Sequence, residues 1–349
     1  MAILPQKLVS LVERTGAPDG LIRYGIRQLL RERLREEGGD CERRNENLYR
    51  LLSAMGEAPV ALSTACANDQ HYELPAGFFE RVLGQHLKYS CCYYPQGDES
   101  LDEAEEAMLR LTCERARLEN GQEILELGCG WGALTLWMAR QYPQSRITAV
   151  SNSGSQREFI ERRSEEAGLG NVVVVTADMN DFHAGQSFDR VISLEMFEHM
   201  RNWGELLRRI STWLNPEGML FIHVFCHRDL AYVFQSDDDE DWMARHFFTD
   251  GLMPSDGLLL HFQDHLRLYR RWRVSGRHYE RTCNHWLARM DAAETEIQPI
   301  FARVYGDGEV SRWINRWRIF FMACAELFGY RDGDEWHVAQ YLMERRSGC

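Results

Sequence analysis

The sequence predicts an α/β fold, a parallel sheet with helices on both faces, and three observations carry that prediction. Between residues 123 and 225, short runs such as "EILEL", "RITAV", "VVVVT", "RVISL" and "GMLFIHVF" alternate with helical stretches. Alternation of strand and helix demands a parallel sheet with right-handed crossovers. The runs are apolar and rich in β-branched residues, as strands buried on both faces are. The first of them also passes straight into "GCGWG", so a strand turns into a helix through Gly128, Gly130 and Gly132.

In chain order, residues 6 to about 55 read as helical, with "TGAPDG" as a turn between two helices. The charged stretch "EEGGDCERRNEN" reads as a break before a helix at "LYRLLSAM". From Gly77 to Arg117 the pattern is helix, loop, helix; Ser100 followed by Glu103 is a capping box for the second helix. The core then follows as strand 123–127, helix 132–141, strand 146–150, helix 154–167, strands 171–176 and 189–194, helix 203–214 and strand 218–225. Beyond Cys226 comes an aromatic-rich insert containing "QSDDDEDW" and "MPSDG". A strand-like run "HLRLYRRWRVS", helices to about Phe328 and a closing strand at "HVAQYLMERR" complete the chain. The expected organisation is a helical region over 1–80, a ligand-binding core over 81–225, and over 226–349 a lid or substrate insert with the last strands of the sheet.

The chain has 349 residues, which exceeds the usual size of a single core, and its 44% hydrophobic and 27% charged residues are those of an ordinary soluble globular protein. A net charge of -13 opposes a nucleic-acid partner, since binding to a phosphate backbone rests on clustered Lys and Arg. No segment reaches the roughly 18–20 apolar residues of a membrane span, so stable membrane insertion is not expected. "MAILPQKLVSLVERTG" lacks the pattern of a signal peptide, and the ten cysteines include no Cys-x-x-Cys pair. Reduced thiols in a cytoplasmic protein are the expectation.

The glycine loop raises the question of its ligand. Ligands of open parallel sheets lie at the strand C-termini, and glycines there allow positive φ and close approach. A dinucleotide site favours Gly-x-Gly-x-x-Gly around a pyrophosphate. Here the third glycine comes one residue early, and Glu126 precedes the loop, where its charge repels phosphate and suits a cation. A tight turn with no ligand is the plain alternative. The stretch resembles the first motif of class I S-adenosylmethionine-dependent methyltransferases, whose acidic residue faces the methionine part of the cofactor. The second strand ends in Ser151 and Asn152 rather than the acidic residue common in that class.

That departure narrows the resemblance. "LKYSCCYYPQGDESLDEAEEAMLRLTCERARL", "LELGCGWGALTLWMARQYP", "AVSNSGSQREFIE" and "LEMFEHM" together look like the cyclopropane-fatty-acid-synthase-like methyltransferases, and within them like the plant coclaurine N-methyltransferase group. The resemblance runs through nearly the whole chain. It implies a Rossmann-like class I methyltransferase core with a seven-stranded, mostly parallel sheet, an N-terminal helical region and a helical insert after strand five. It also implies S-adenosylmethionine as cofactor, touched by Ser90, Gly128, Asn152, Gln156, Asp178 and Met179, with Tyr89, Glu126, Gly130 and Ser193 in the same set. For Asp178 the alternative is a turn cap; for "YSCCYY" it is a packed aromatic loop.

"SLEMFEHM" leaves an apolar strand at its C-terminal edge, and a helical continuation would place Glu195, Glu198 and His199 on one face. Methyl transfer to an amine needs a neutral nucleophile, and a carboxylate or imidazole supplies the base. The resemblance gives these three residues the substrate-site roles, with His199 or Glu198 as the base. It suggests N-methylation of a small aromatic or hydrophobic amine, and a homodimer. The alternative is carbon methylation or cyclopropanation of unsaturated acyl chains of phospholipids. Lipid-modifying relatives bind bicarbonate as a base through a cysteine of the "SC" loop, the glutamate of the "EH" motif and a histidine after strand five. Cys91 and Glu198 match; His223 reads as one position off, with Val224 in the expected place. His223, Cys226 and His227, or His261 and His265, make poor metal sets, and no metal is expected. Trp242, Phe247, Phe248, Phe262 and Tyr279 are either walls for an aromatic amine or packing for a lid. The acidic run at Asp237–Asp241 reads as a solvated loop, and the six arginines from Arg267 to Arg281 as ion-pair partners for the acidic excess.

Overall fold

A computed structural model of the protein describes residues 6–62, 74–234 and 242–346. Its centre is a seven-stranded sheet. The strands are β1 (Glu123–Leu127), β2 (Arg146–Ser151), β3 (Val172–Thr176), β4 (Phe188–Leu194), β5 (Leu214–His227), β8 (Leu266–Val274) and β9 (Trp336–Arg345), in the order β3-β2-β1-β4-β5-β9-β8. β6 (Tyr232–Val233) and β7 (Leu252–Met253) form a separate two-stranded ribbon. β1 to β5 pair in parallel, and β9 runs antiparallel to both β5 and β8. The chain doubles back at β1, which has β2 on one side and β4 on the other. That reversal opens a crevice at the C-terminal ends of the two central strands.

Burial follows from position in the sheet. Ile124, Leu125 and Leu127 of β1 and Val191 and Ile192 of β4 are fully buried between helices. β3 departs from the expectation of a strand covered on both faces: it is an edge strand, and Val173 is 61% exposed. At the opposite edge, β8 carries the arginine run. Arg267 pairs with Glu344, Arg271 and Arg273 pair with Asp256, and Arg277 pairs with Asp332. Charged side chains on an edge also block pairing with a further strand.

Helices form where their caps specify. Ser100 and Glu103 close the expected box on helix Leu101–Arg115, at 3.3 Å for Glu103 N–H to Ser100 Oγ and 2.8 Å for Ser100 N–H to Glu103 Oε2. The charged break before residue 48 is shorter than expected. Helix Cys41–Glu57 starts within it, because Asp40 accepts the Arg43 N–H at 2.8 Å and acts as N-cap. After β7, helices Gly276–Ala292, Glu294–Tyr305 and Val310–Gly329 pack against the core beside the crevice. The run Asp237–Asp241 lies outside the described residues. Among the described residues no helix is long and apolar enough to cross a membrane.

The glycine turn needs all three glycines, for different reasons. Gly128, Gly130 and Gly132 have φ of 79°, 52° and 82°. A Cβ on Gly132 would stand 2.7 Å from Ile160 Cγ1 of the neighbouring helix, whereas one on Gly130 meets nothing within 4 Å. Gly132→Ala is therefore expected to cost roughly 2–4 kcal/mol, from left-handed strain plus overpacking, and Gly130→Ala about 1–2 kcal/mol from strain alone. Urea unfolding of the two variants checks the difference.

Candidate active site

The crevice at the β1/β4 reversal continues into a cavity that gathers most of the residues expected at a cofactor site. Its walls include Tyr89 and Ser90 from the loop before helix Leu101–Arg115, and Glu126, Gly128 and Gly130 from β1 and its turn. Asn152 and Gln156 contribute from the end of β2 and the next helix, Met179 from the loop after β3, and Glu195 and His199 from the segment after β4. Asp178, Ser193 and Glu198 are not among the lining residues. Asp178 Oδ1 accepts the Asn180 N–H at 2.7 Å, the geometry of a turn cap. Ser193 is fully buried within β4.

Two buried groups in this wall are left for a ligand to satisfy. Glu126 is 2% exposed, and its carboxylate accepts the Thr135 hydroxyl at 2.5 Å. Burial pushes its carboxyl up to about 8, with the Thr135 hydrogen bond pulling the other way. Gln156 accepts from Ser151 Oγ at 2.7 Å, while its buried Nε2 has no hydrogen-bond partner among the described residues. A cationic ligand with polar edges fits a carboxyl and an amide donor presented in this way, and the left-handed glycine turn leaves its path clear of side chains.

The segment after β4 differs from the expected helix. Glu195 adopts φ of 48°, and only Phe197–His199 form a helical turn, of the 3-10 type. The three expected residues therefore do not share one helical face. The Glu195 N–H donates to the His223 carbonyl at 2.8 Å, which fixes the bend against β5. A non-glycine residue in this conformation is strained, and strain of this kind persists where surrounding contacts over-determine it.

Those contacts converge on the Glu195 carboxylate. Oε1 accepts the Cys91 N–H at 3.0 Å and lies 3.2 Å from His223 Nε2; Oε2 accepts the Tyr279 hydroxyl at 2.5 Å. Lys88, 1% exposed, donates to Ser90 Oγ at 2.5 Å and to the Cys91 carbonyl at 2.6 Å, and so steadies the peptide that serves Glu195. Burial alone would raise the Glu195 carboxyl, but His223, Lys88 and Tyr279 outweigh it and hold it below the usual carboxylate range. Glu198 is the opposite case. Burial, then the Glu195 charge, pushes it well up, which favours its protonated form. It accepts the Phe225 N–H at 2.7 Å. Two neighbouring carboxyls pushed in opposite directions are the pattern of a charged group beside a neutral one. His199 is held down to about 4 by burial, against the pull of Glu195, and is a neutral imidazole at physiological pH.

His223 turns its ring toward this carboxylate. The residue types expected to hold bicarbonate surround Glu195 instead: the space between the Cys91 loop and His223 is spanned by a carboxylate of the chain itself.

None of the five aromatic residues is among those lining the cavity, and each packs against neighbouring side chains. Phe248 packs edge-on to His199 at 4.8 Å between ring centroids, beside Phe225 at 5.7 Å and Phe234 at 5.1 Å. Tyr279 stacks on Phe328 at 4.2 Å. Trp242, Phe247 and Phe262 pack elsewhere, against Glu13, Phe320 and Trp203. Phe225 and Phe328 were not singled out by the sequence. The histidines proposed as poor metal ligands serve local contacts: His227 Nδ1 accepts two backbone N–H groups and its Nε2 lies 3.1 Å from Glu335. Cys226, Asp256 and His337 do approach one another, but Arg271 and Arg273 already compensate Asp256. A metal cation there would face two guanidinium groups. The eight cysteines among the described residues are free, and burial raises the Cys91 and Cys92 thiols, which leaves them protonated.

Residues 62–338 match the family described as mycolic acid cyclopropane synthetase. The chain belongs to this family. It is 39% identical over 345 residues to (S)-coclaurine N-methyltransferase of Thalictrum flavum subsp. glaucum, covering 97% of this chain and 96% of that one. The corresponding enzyme of Papaver somniferum is 36% identical over 347 residues, with 98% of each chain covered. The crystal structure of a coclaurine N-methyltransferase bound to N-methylheliamine and SAH superposes with a TM-score of 0.93 at 38% identity, over 97% of this chain and 99% of that one. The chain is thus an S-adenosylmethionine-dependent methyltransferase with the class I fold.

Proposed function

We propose that the protein methylates the nitrogen of a small amine carrying an aromatic or hydrophobic body, in the manner of its coclaurine N-methyltransferase relatives. The observation that carries this reading is the pairing at one cavity wall of an ionised carboxylate, Glu195, with a neutral imidazole, His199. Bound S-adenosylmethionine supplies an electrophilic methyl group on a sulfonium. Glu126, Gln156 and the glycine turn are the residues that would hold it. The rest of the chemistry falls to the chain. Glu195 draws in the protonated amine, and His199, neutral and within the same wall, accepts its proton so that the nitrogen lone pair is free to attack. Phe248 packs edge-on against His199 of this wall, and a cation beside such a ring is stabilised by about 0.5–2 kcal/mol. Closing the reactants together in one wall supplies orientation, a large part of the acceleration of a displacement between two bound partners.

Within this reading no external base is required. Methylation of a secondary benzylic amine is expected to proceed at the same rate in bicarbonate-free buffer and in buffer with bicarbonate added. Because His199 titrates at about 4 and the protonated amine is the form drawn in, the rate at limiting amine should hold level from about pH 5 up to the pKa of the acceptor and fall above it. Two acceptors whose pKa values differ by about two units should give falling limbs displaced by the same interval. A falling limb fixed at one pH for both acceptors, or a requirement for bicarbonate, contradicts the assignment.

A further inference from the structure

A buried chain of hydrogen bonds leads away from Glu195 along one face of the sheet. Glu195 Oε1 lies 3.2 Å from His223 Nε2, and His223 Nδ1 lies 3.0 Å from Gln340 Nε2. Gln340 Oε1 in turn accepts from Arg115 Nη1 at 2.5 Å. His223 and Gln340 are fully buried and directly opposite each other in the β5–β9 register. Every donor and acceptor in the chain is determined from one end. A guanidinium has donors only, so the atom of Gln340 facing Arg115 must be the carbonyl oxygen, and the amide NH2 must face His223. Its second hydrogen points to Met108 Sδ at 3.6 Å. Nδ1 then has a donor in front of it and must be the unprotonated nitrogen, which leaves the proton on Nε2, facing the carboxylate.

We propose that Arg115 and Gln340 are positioning residues that keep His223 a neutral imidazole with its proton on Nε2, so that Glu195 is hydrogen-bonded but not neutralised. The inference rests on the reading of Glu195 as the ionised carboxylate that receives the amine. An imidazole next to a carboxylate ordinarily gains a proton and cancels its charge. A donor at Nδ1 opposes that, because a second proton on the ring would meet the amide hydrogens head-on. The charged groups facing His223 are Glu195, Lys88 and Arg115, and the two cations act in the same direction as the amide. The net result is that burial, then Lys88 and Arg115, hold the ring down despite Glu195. The site keeps a negative charge for the cationic substrate.

The test reads the ring directly. Wild type, Gln340→Glu and Arg115→Met are labelled with nitrogen-15 histidine, and the His223 signals are assigned by their absence in His223→Gln among the twelve histidines. Wild type is expected to show one protonated and one unprotonated ring nitrogen, with the proton on Nε2, throughout pH 5.5–8.5. Gln340→Glu places an acceptor at Nδ1 and is expected to give the doubly protonated ring at pH 7. Arg115→Met releases the amide and is expected to raise the His223 midpoint by about one unit; it decides the matter should Gln340→Glu fail to fold. In turnover, Gln340→Glu should raise KM for the amine about tenfold and change kcat less than about threefold, as loss of attraction for a cation does. A doubly protonated or Nδ1-protonated ring in wild type, or an unchanged ring in both variants, overturns the inference. Absence of amine turnover in wild type would instead sink the functional reading, and the ring signals would still decide this one.

Discussion

His199→Ala is expected to lower kcat for amine methylation by about 10²- to 10⁴-fold, the range for loss of a general base, while cofactor affinity stays near wild type. Of the two candidates for the base, only His199 has the right protonation state. Its imidazole is neutral above pH 5 or so, because burial holds it down to about 4. Glu198 is raised by burial and by Glu195, which favours the protonated form that cannot act as a base. The contrast has its own experiment. Glutamine is a close isostere of a protonated glutamate and still accepts the Phe225 N–H, so Glu198→Gln should retain activity within about tenfold. Glu198→Ala strands that buried N–H and is expected to be far worse. If Glu198→Gln collapses as completely as His199→Ala, Glu198 is the base and its assigned protonation is wrong.

The second large effect belongs to Glu195. Glu195→Gln removes the charge that attracts the amine and leaves His223, Tyr279 and the Cys91 N–H arranged around a neutral amide. A fall in kcat/KM of about 10²-fold is expected, most of it in KM for the amine, the scale of two charge-assisted hydrogen bonds. Tyr279→Phe, which deletes one donor of the set, should lose about tenfold or less. Steady-state kinetics with the amine varied at saturating cofactor separates the two parameters. A variant whose loss lay wholly in cofactor affinity would place Glu195 on the wrong side of the crevice.

These residues were legible in the sequence to different degrees, and the difference has a physical basis. The glycine turn, the capping box at Ser100 and the parallel strands are set by local rules, and each stands where the sequence puts it. Glu126 was readable because an acidic residue before a glycine turn excludes phosphate. The Glu195 environment was not readable, because it depends on pairs far apart in sequence: Tyr279 lies 84 positions from Glu195, and Gln340 lies 117 from His223. For His223, one residue along the strand decides which face of the sheet the ring takes, and its partners Glu195 and Gln340 lie on other elements. The helical face drawn through Glu195, Glu198 and His199 failed for another reason. A periodicity argument assumes regular backbone, and Glu195 sits at a left-handed bend held by the His223 carbonyl. Phe225 and Phe328 meet through packing of β5 against the C-terminal helices, which no local pattern announces.

The most direct measurement is release of S-adenosylhomocysteine, with product identified by mass, on two panels run side by side: benzylic and isoquinoline amines, and vesicles of unsaturated phospholipid supplied with bicarbonate. Turnover on amines with a methyl group added at nitrogen, abolished in His199→Ala, is the predicted result. Turnover confined to the vesicles, with methylene or methyl added to acyl carbon, would contradict the account.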